Sequence, residues 1–213
     1  MKKDLIIVVL TILILIGIFE TGVYGKQSDK LVKGEAKIPQ EIKNITSISE
    51  IKPFLDSKDS TIRMVAVKRL VEIGGVNSID LLYETFNKEP YKGHVKSAPI
   101  VKLEIIRSLK NIGGDKAKKV LLDILTTYLE RGPLKGSIYV HDDGDYNAVV
   151  SNTANVLFDL YNNINDLEIY LLFKRIAQGE MDYHWWIKED SYLSPLARTF
   201  CDQKKMPKKL EKK

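Results

Sequence analysis

Apolar residues recur at helical spacing from Thr46 almost to the end of the chain. Ser47 is placed to cap a short helix over Ile48 to Leu55, which Pro53 kinks or shortens. Asp59 or Ser60 then caps a helix whose apolar positions are Ile62, Ala66, Leu70 and Ile73, a single face. Gly74 and Gly75 stop it, and Ser78 is placed to cap a second helix with Ile79, Leu82 and Phe86 turned inward. The same grammar returns as Val101, Ile105, Leu109 and Ile112, then Gly113 and Gly114, then Val120, Leu121, Ile124, Leu125 and Tyr128.

The recurrence has a fixed register. Leu70 to Leu109, Ile73 to Ile112, Gly75 to Gly114, Leu82 to Leu121 and Phe86 to Leu125 are all separated by 39 residues. One offset shared by two helices and the turn between them indicates a repeated helical hairpin. A weaker third copy reads Val149, Thr153, Leu157 and Leu160, then Leu167, Tyr170, Leu171 and Phe173, with Tyr161 and Asn162 where the others have paired glycines. A single hairpin exposes an apolar face, so the array is stable only when its members stack. The expectation is an all-α fold, a short right-handed α-solenoid of about three hairpins.

Ile62-Arg63, Ala66, Leu70, Ile73-Gly74, Ser78-Ile79 and Leu81-Leu82 resemble the short HEAT-like repeat of the phycobilin-lyase type. Val101-Lys102, Leu109, Ile112-Gly113, Ala117 and Val120-Leu121 match that pattern again. Gly75 and Gly114 depart from it where an acidic residue is usual, Ile105 where a small Ala is usual and Lys118 where an apolar residue is usual, and residues 87–98 form an insertion. The resemblance spans Ser57 to Gly179 and implies fold far more than chemistry. In such stacks the second helices line the concave face. The resemblance therefore implies binding through Asp80, Tyr83, Glu84, Lys119, Leu122 and Asp123, which lie off the apolar stripe.

The N-terminus has a different pattern. Lys2 and Lys3 precede an apolar run from Leu5 to Phe19, shorter than the ~20 residues a full span needs. Glu20 closes the run, and Val23 and Gly25 are small enough for a signal-peptidase site. Both a cleaved signal peptide and a retained signal anchor fit residues 1–25, and either puts the rest of the chain outside the cytoplasmic membrane. Residues 26–45 read as a flexible, charged linker, 46–203 as the helical repeat domain with a C-terminal cap, and 204–213 as a disordered basic tail.

Composition narrows the function. The 213 residues are 44% hydrophobic with 13 Gly and 7 Pro, which excludes collagen-like and wholly disordered chains. A net charge of +5 does not by itself mark a nucleic-acid binder, and none is expected as a partner. Cys201, the single cysteine, cannot form an internal disulfide; it reads as a small apolar residue in a helix with Pro195 in its first turn. His94, His141 and His184 show no paired metal-ligand spacing, and no phosphate loop or nucleophile elbow is present. The acidic run Asp142, Asp143 and Asp145 lacks EF-hand spacing and reads as a polar turn that caps the next helix through Asp143 or Asp145. No metal, cofactor or catalytic residue is therefore assigned.

Tyr183, Trp185 and Trp186 form an aromatic cluster that either caps the last hairpin or anchors a partner. These readings point to a non-enzymatic scaffold of the cell envelope that binds a protein. Two other classes stay open: an envelope enzyme or lyase-like accessory using His94, His141 and Asp142, and a binder of an anionic polymer or membrane surface through the basic tail and paired Trp.

Overall fold

A computed structural model describes residues 40–90, 99–132, 144–178, 180 and 193–204. All regular structure among these residues is helical. The helices are α1 (Gln40–Asn44), α2 (Ile48–Leu55), α3 (Ser60–Gly74), α4 (Ile79–Lys88), α5 (Ile100–Ile112), α6 (Gly114–Arg131), α7 (Gly144–Ile164), α8 (Leu167–Ala177) and α9 (Leu193–Gln203), with a 3₁₀ turn at Gly75–Ser78. The expectation of an all-α fold holds for every one of these segments. The signal or anchor segment and most of the linker lie outside the described residues.

Local chemistry sets the helix ends. Ser47 accepts a hydrogen bond from the Glu50 amide, and Asp59 from the Thr61 amide at 2.7 Å, each satisfying an otherwise orphan donor in a first turn. Gly75 ends α3 at φ 48°, a left-handed conformation that a side chain would strain. Gly113 ends α5 at φ 66° in the equivalent turn. In the third copy α7 runs past Tyr161 and Asn162, where the sequence pattern put its end, and stops at Asn165 with φ 51°. Asparagine is among the few residues besides glycine that enter this region readily, so the stop moves to it.

Ser78 does not cap α4 as expected. It lies in the 3₁₀ turn with helical backbone angles, and its Oγ donates to the Gly75 carbonyl at 2.6 Å. The chain passes from turn to helix without a break, so no N-cap geometry arises.

The paired helices run antiparallel. Arg63 at the start of α3 meets Glu89 just after α4, and Lys102 at the start of α5 lies 5.8 Å from the Tyr128 ring near the end of α6. Phe158 of α7 meets Phe173 of α8 edge-on. Between pairs, α3 packs on α5 and α5 on α7, while α4 contacts α6 and α6 also packs on α7. The recurring positions fill the core. Ala66, Ile105 and Thr153 are equivalent and buried, as are Leu70, Leu109 and Leu157. So are Leu82, Leu121 and Ile169, and Phe86, Leu125 and Phe173. The offset is 39 residues from the first pair to the second and 48 from the second to the third.

Two sequence readings shift here. In α8 the buried residues are Ile169, Tyr170, Leu172, Phe173 and Ile176, while Leu171 is 42% exposed. Helical spacing from Ile169 puts Leu172 and Phe173 inward and turns Leu171 out. The folded part also starts earlier than Thr46, within the stretch read as linker. Ile42 is 1% exposed in α1, and the Ile45 carbonyl accepts two bonds from Arg69 of α3, at 2.9 and 2.6 Å. Two isoleucines three residues apart are too short a stripe to signal a helix, yet α3 supplies both an apolar surface and a cation to hold them.

Candidate functional site

The six second-helix residues named above come from α4 and α6, which lie side by side. Asp80, Glu84, Lys119 and Asp123 are exposed; Tyr83 and Leu122 are half-buried against the core. The fold brings several of them together. The Tyr83 hydroxyl donates to the Asp123 carboxylate, and Lys116 Nζ meets Asp80 at 2.6 Å. The bond to Asp123, with burial second, raises the Tyr83 phenol above its ordinary value. Glu84 pairs along its own helix with Lys88 at 2.7 Å, and this bond lowers its carboxyl. The surface is therefore of mixed charge, with Tyr83 half-buried in it and Lys119 exposed.

Tyr183, Trp185 and Trp186 lie outside the described residues, as do His94, His141, Asp142 and residues 205–213 of the basic tail. Cys201 is half-buried in α9, and burial raises its thiol, which keeps it a poor nucleophile.

The sequence reading missed a buried polar cluster where α5 and α7 begin and α6 ends. Lys102 is 4% exposed, and its ammonium donates to both carboxylate oxygens of Asp145, at 3.2 and 3.0 Å. Asp145 is fully buried and also accepts from the Tyr128 hydroxyl at 2.9 Å. Lys102 Nζ lies 5.9 Å from the Phe86 ring centroid, and Arg131 stacks on Tyr128 at 4.1 Å. Burial pushes the Lys102 ammonium below the usual lysine value, and Asp145 recovers only part of that shift. Burial, then the Asp145 charge, raises the Tyr128 phenol far enough to keep it a neutral donor.

Of the two cap candidates, Asp143 lies outside the described residues, and Asp145 stands inside the first turn of α7, with its carboxylate crossing to the neighbouring hairpin. The signal was available: Lys102 follows Val101 as Arg63 follows Ile62, so a cation recurs at one repeat position.

The cluster is closed. Among the described residues no buried side-chain nitrogen or oxygen lacks a hydrogen-bond partner, and no three His, Cys, Asp or Glu side chains converge as a metal site. A depression lined by Ser60, Glu89, Pro90, Pro99 and Lys102 lies beside it. Among the described residues no helix is long and apolar enough to cross a membrane. No family model, curated protein or solved structure matches the chain.

Proposed function

We propose that this chain is a HEAT-like repeat scaffold, a short right-handed α-solenoid that binds a protein through the faces of α4 and α6. The observation that carries the reading is the burial of the same four positions in three successive hairpins. Hairpins that share a core in this way hold one surface of fixed shape, which suits recognition of a partner. Tyr83 and Leu122 supply its apolar part, with Asp80, Glu84, Lys119 and Asp123 around them. The export reading rests on Lys2, Lys3 and the apolar run from Leu5 to Phe19, and makes the partner a protein of the cell envelope.

The test combines position and compartment. A photo-crosslinking residue at Lys119 should capture a specific protein in intact cells, and the same residue at Arg107, exposed on α5, should not. Capture that is equal at the two positions removes the second-helix face as the binding surface. A phosphatase fused after Lys213 should be active; an inactive fusion removes the envelope.

A further inference from the structure

The charged side chains of the second helices are largely engaged within the fold. Lys116 holds Asp80, Lys88 holds Glu84, and Arg175 of α8 faces Glu180 at 3.5 Å. Lys118 meets Asp166 at 2.8 Å and Glu168 at 2.9 Å, which sets the start of α8 against α6. Lys119, the next residue, is exposed and enters no ion pair among the described residues. Asp115 and Asp123, one turn to either side of it, are turned to Lys118 and Tyr83. Lys174 of α8 is half-buried and likewise enters no ion pair among the described residues. Glu130, an exposed acid of α6, stands eleven residues past Lys119, about 16 Å along the helix.

Apolar surface accompanies this positive charge. Offsets of 39 and 48 residues align Asp80, Lys119 and Leu167, and likewise Glu84, Asp123 and Leu171. The third hairpin therefore carries leucine at two positions where the first carries acids. Leu167 is half-buried and Leu171 is 42% exposed; among the described residues only Val76 is another large apolar side chain so open. The row of Tyr83 and Leu122 continues to Tyr170, but Tyr170 packs on Phe200 of α9 and is buried. The open apolar position in α8 is thus Leu171. A lone exposed leucine is ordinary. This one continues, on the adjoining helix, the half-buried Leu122 and lies near a cation that the fold leaves unpaired.

The existing pairs select the charge of what binds. A cation brought to Asp80 or Glu84 has to displace Lys116 or Lys88, whereas a carboxylate brought to Lys119 breaks no ion pair. We propose that the segment bound by this face is acidic and amphipathic: one of its carboxylates meets Lys119, and a large apolar side chain packs on Leu171 and Leu167. The inference rests on the reading of α4 and α6 as the binding surface and extends that surface to α8.

A displayed library of random peptides, panned on the full chain, tests it. Retained peptides should carry Asp or Glu together with a large apolar residue, each at least about threefold more often than the starting library. Panned on Lys119→Glu, the library should yield Lys and Arg in place of the acids. Leu171→Asp should weaken a peptide retained by the parent about tenfold. Both side chains are exposed, so both variants should keep the parent melting temperature. No enrichment on the parent chain, or the same acidic peptides on Lys119→Glu, overturns the proposal. Peptides that are lost with Tyr83→Ala and Leu122→Ala but indifferent to Lys119→Glu and Leu171→Asp overturn it while leaving α4 and α6 as the binding surface. Peptides indifferent to all four variants remove that surface as well.

Discussion

Arg63 in the first hairpin and Lys102 in the second occupy one repeat position, yet they connect different things. The Arg63 guanidinium closes its own hairpin: Nε and Nη2 hold the two oxygens of Glu89 at 2.5 and 2.9 Å, and Nη1 reaches the Ser57 carbonyl at 2.7 Å. Lys102 has Tyr128, a neutral phenol, where Arg63 has Glu89. It turns to Asp145 at the start of the next. The planar fork of arginine suits a bidentate partner close in sequence, and the compact ammonium suits a single carboxylate arriving from another element. One position in the repeat therefore stiffens a hairpin in one copy and joins two hairpins in the next.

Removing the acid from each pair is the sharpest way to break this comparison. Asp145→Ala should cost about 3–5 kcal/mol in urea unfolding, since it strands a buried cation. Glu89→Ala should cost less, about 1–3 kcal/mol, because Arg63 keeps the Ser57 carbonyl and is partly open to water. A larger loss at Glu89 than at Asp145 means that the pair within the hairpin is the stronger joint.

Leucine truncation asks whether the copies share a core at all. Leu70→Ala, Leu109→Ala and Leu157→Ala should each lower stability by ~2–5 kcal/mol. A nearly neutral variant at any one of them removes that hairpin from the repeat.

The helix caps carry the comparison to smaller effects. Asp59 caps α3 alone, whereas Asp166 accepts from the Glu168 and Ile169 amides at 2.9 and 3.2 Å and also holds Lys118. Asp59→Ala should cost about 1 kcal/mol and Asp166→Ala nearer 2. Burial alone would raise the Asp166 carboxyl, but Lys118 and the two amides outweigh it and hold the group below the usual carboxylate range. A depressed carboxyl contributes stability above its unfolded pKa and loses it as pH falls through the folded one. Melting temperature between pH 7 and about 3 should therefore fall less steeply in Asp166→Ala than in the parent protein. The smallest effect is expected at the surface pair: Lys116→Gln should cost no more than about 1 kcal/mol, and less in high salt.

Helical periodicity, the glycine stops and the offset of 39 residues determined the helical class and the pairing of α3 with α4 and of α5 with α6. These are local properties of the chain. Leu70 and Leu109 were recognisable as core because a stripe at helical spacing has one way to be buried. The acidic side chains on α4 and α6 were equally legible as surface positions.

Other features depended on neighbours far along the chain. Tyr83 and Asp123 read as separate outward residues and became partners when α4 came to lie beside α6. Ile42 and Ile45 needed the flank of α3 before they had anything to pack on. The fate of Asp145 was settled furthest from its own sequence. Among Asp142, Asp143 and Gly144 it has the character of a turn residue, and what buries it is a lysine 43 residues earlier. Periodicity reports which face of a helix is apolar, and so anticipates the core. It carries no information about which polar group will be enclosed with which, because that depends on where two elements meet, and only the tertiary packing of α5, α6 and α7 decided it.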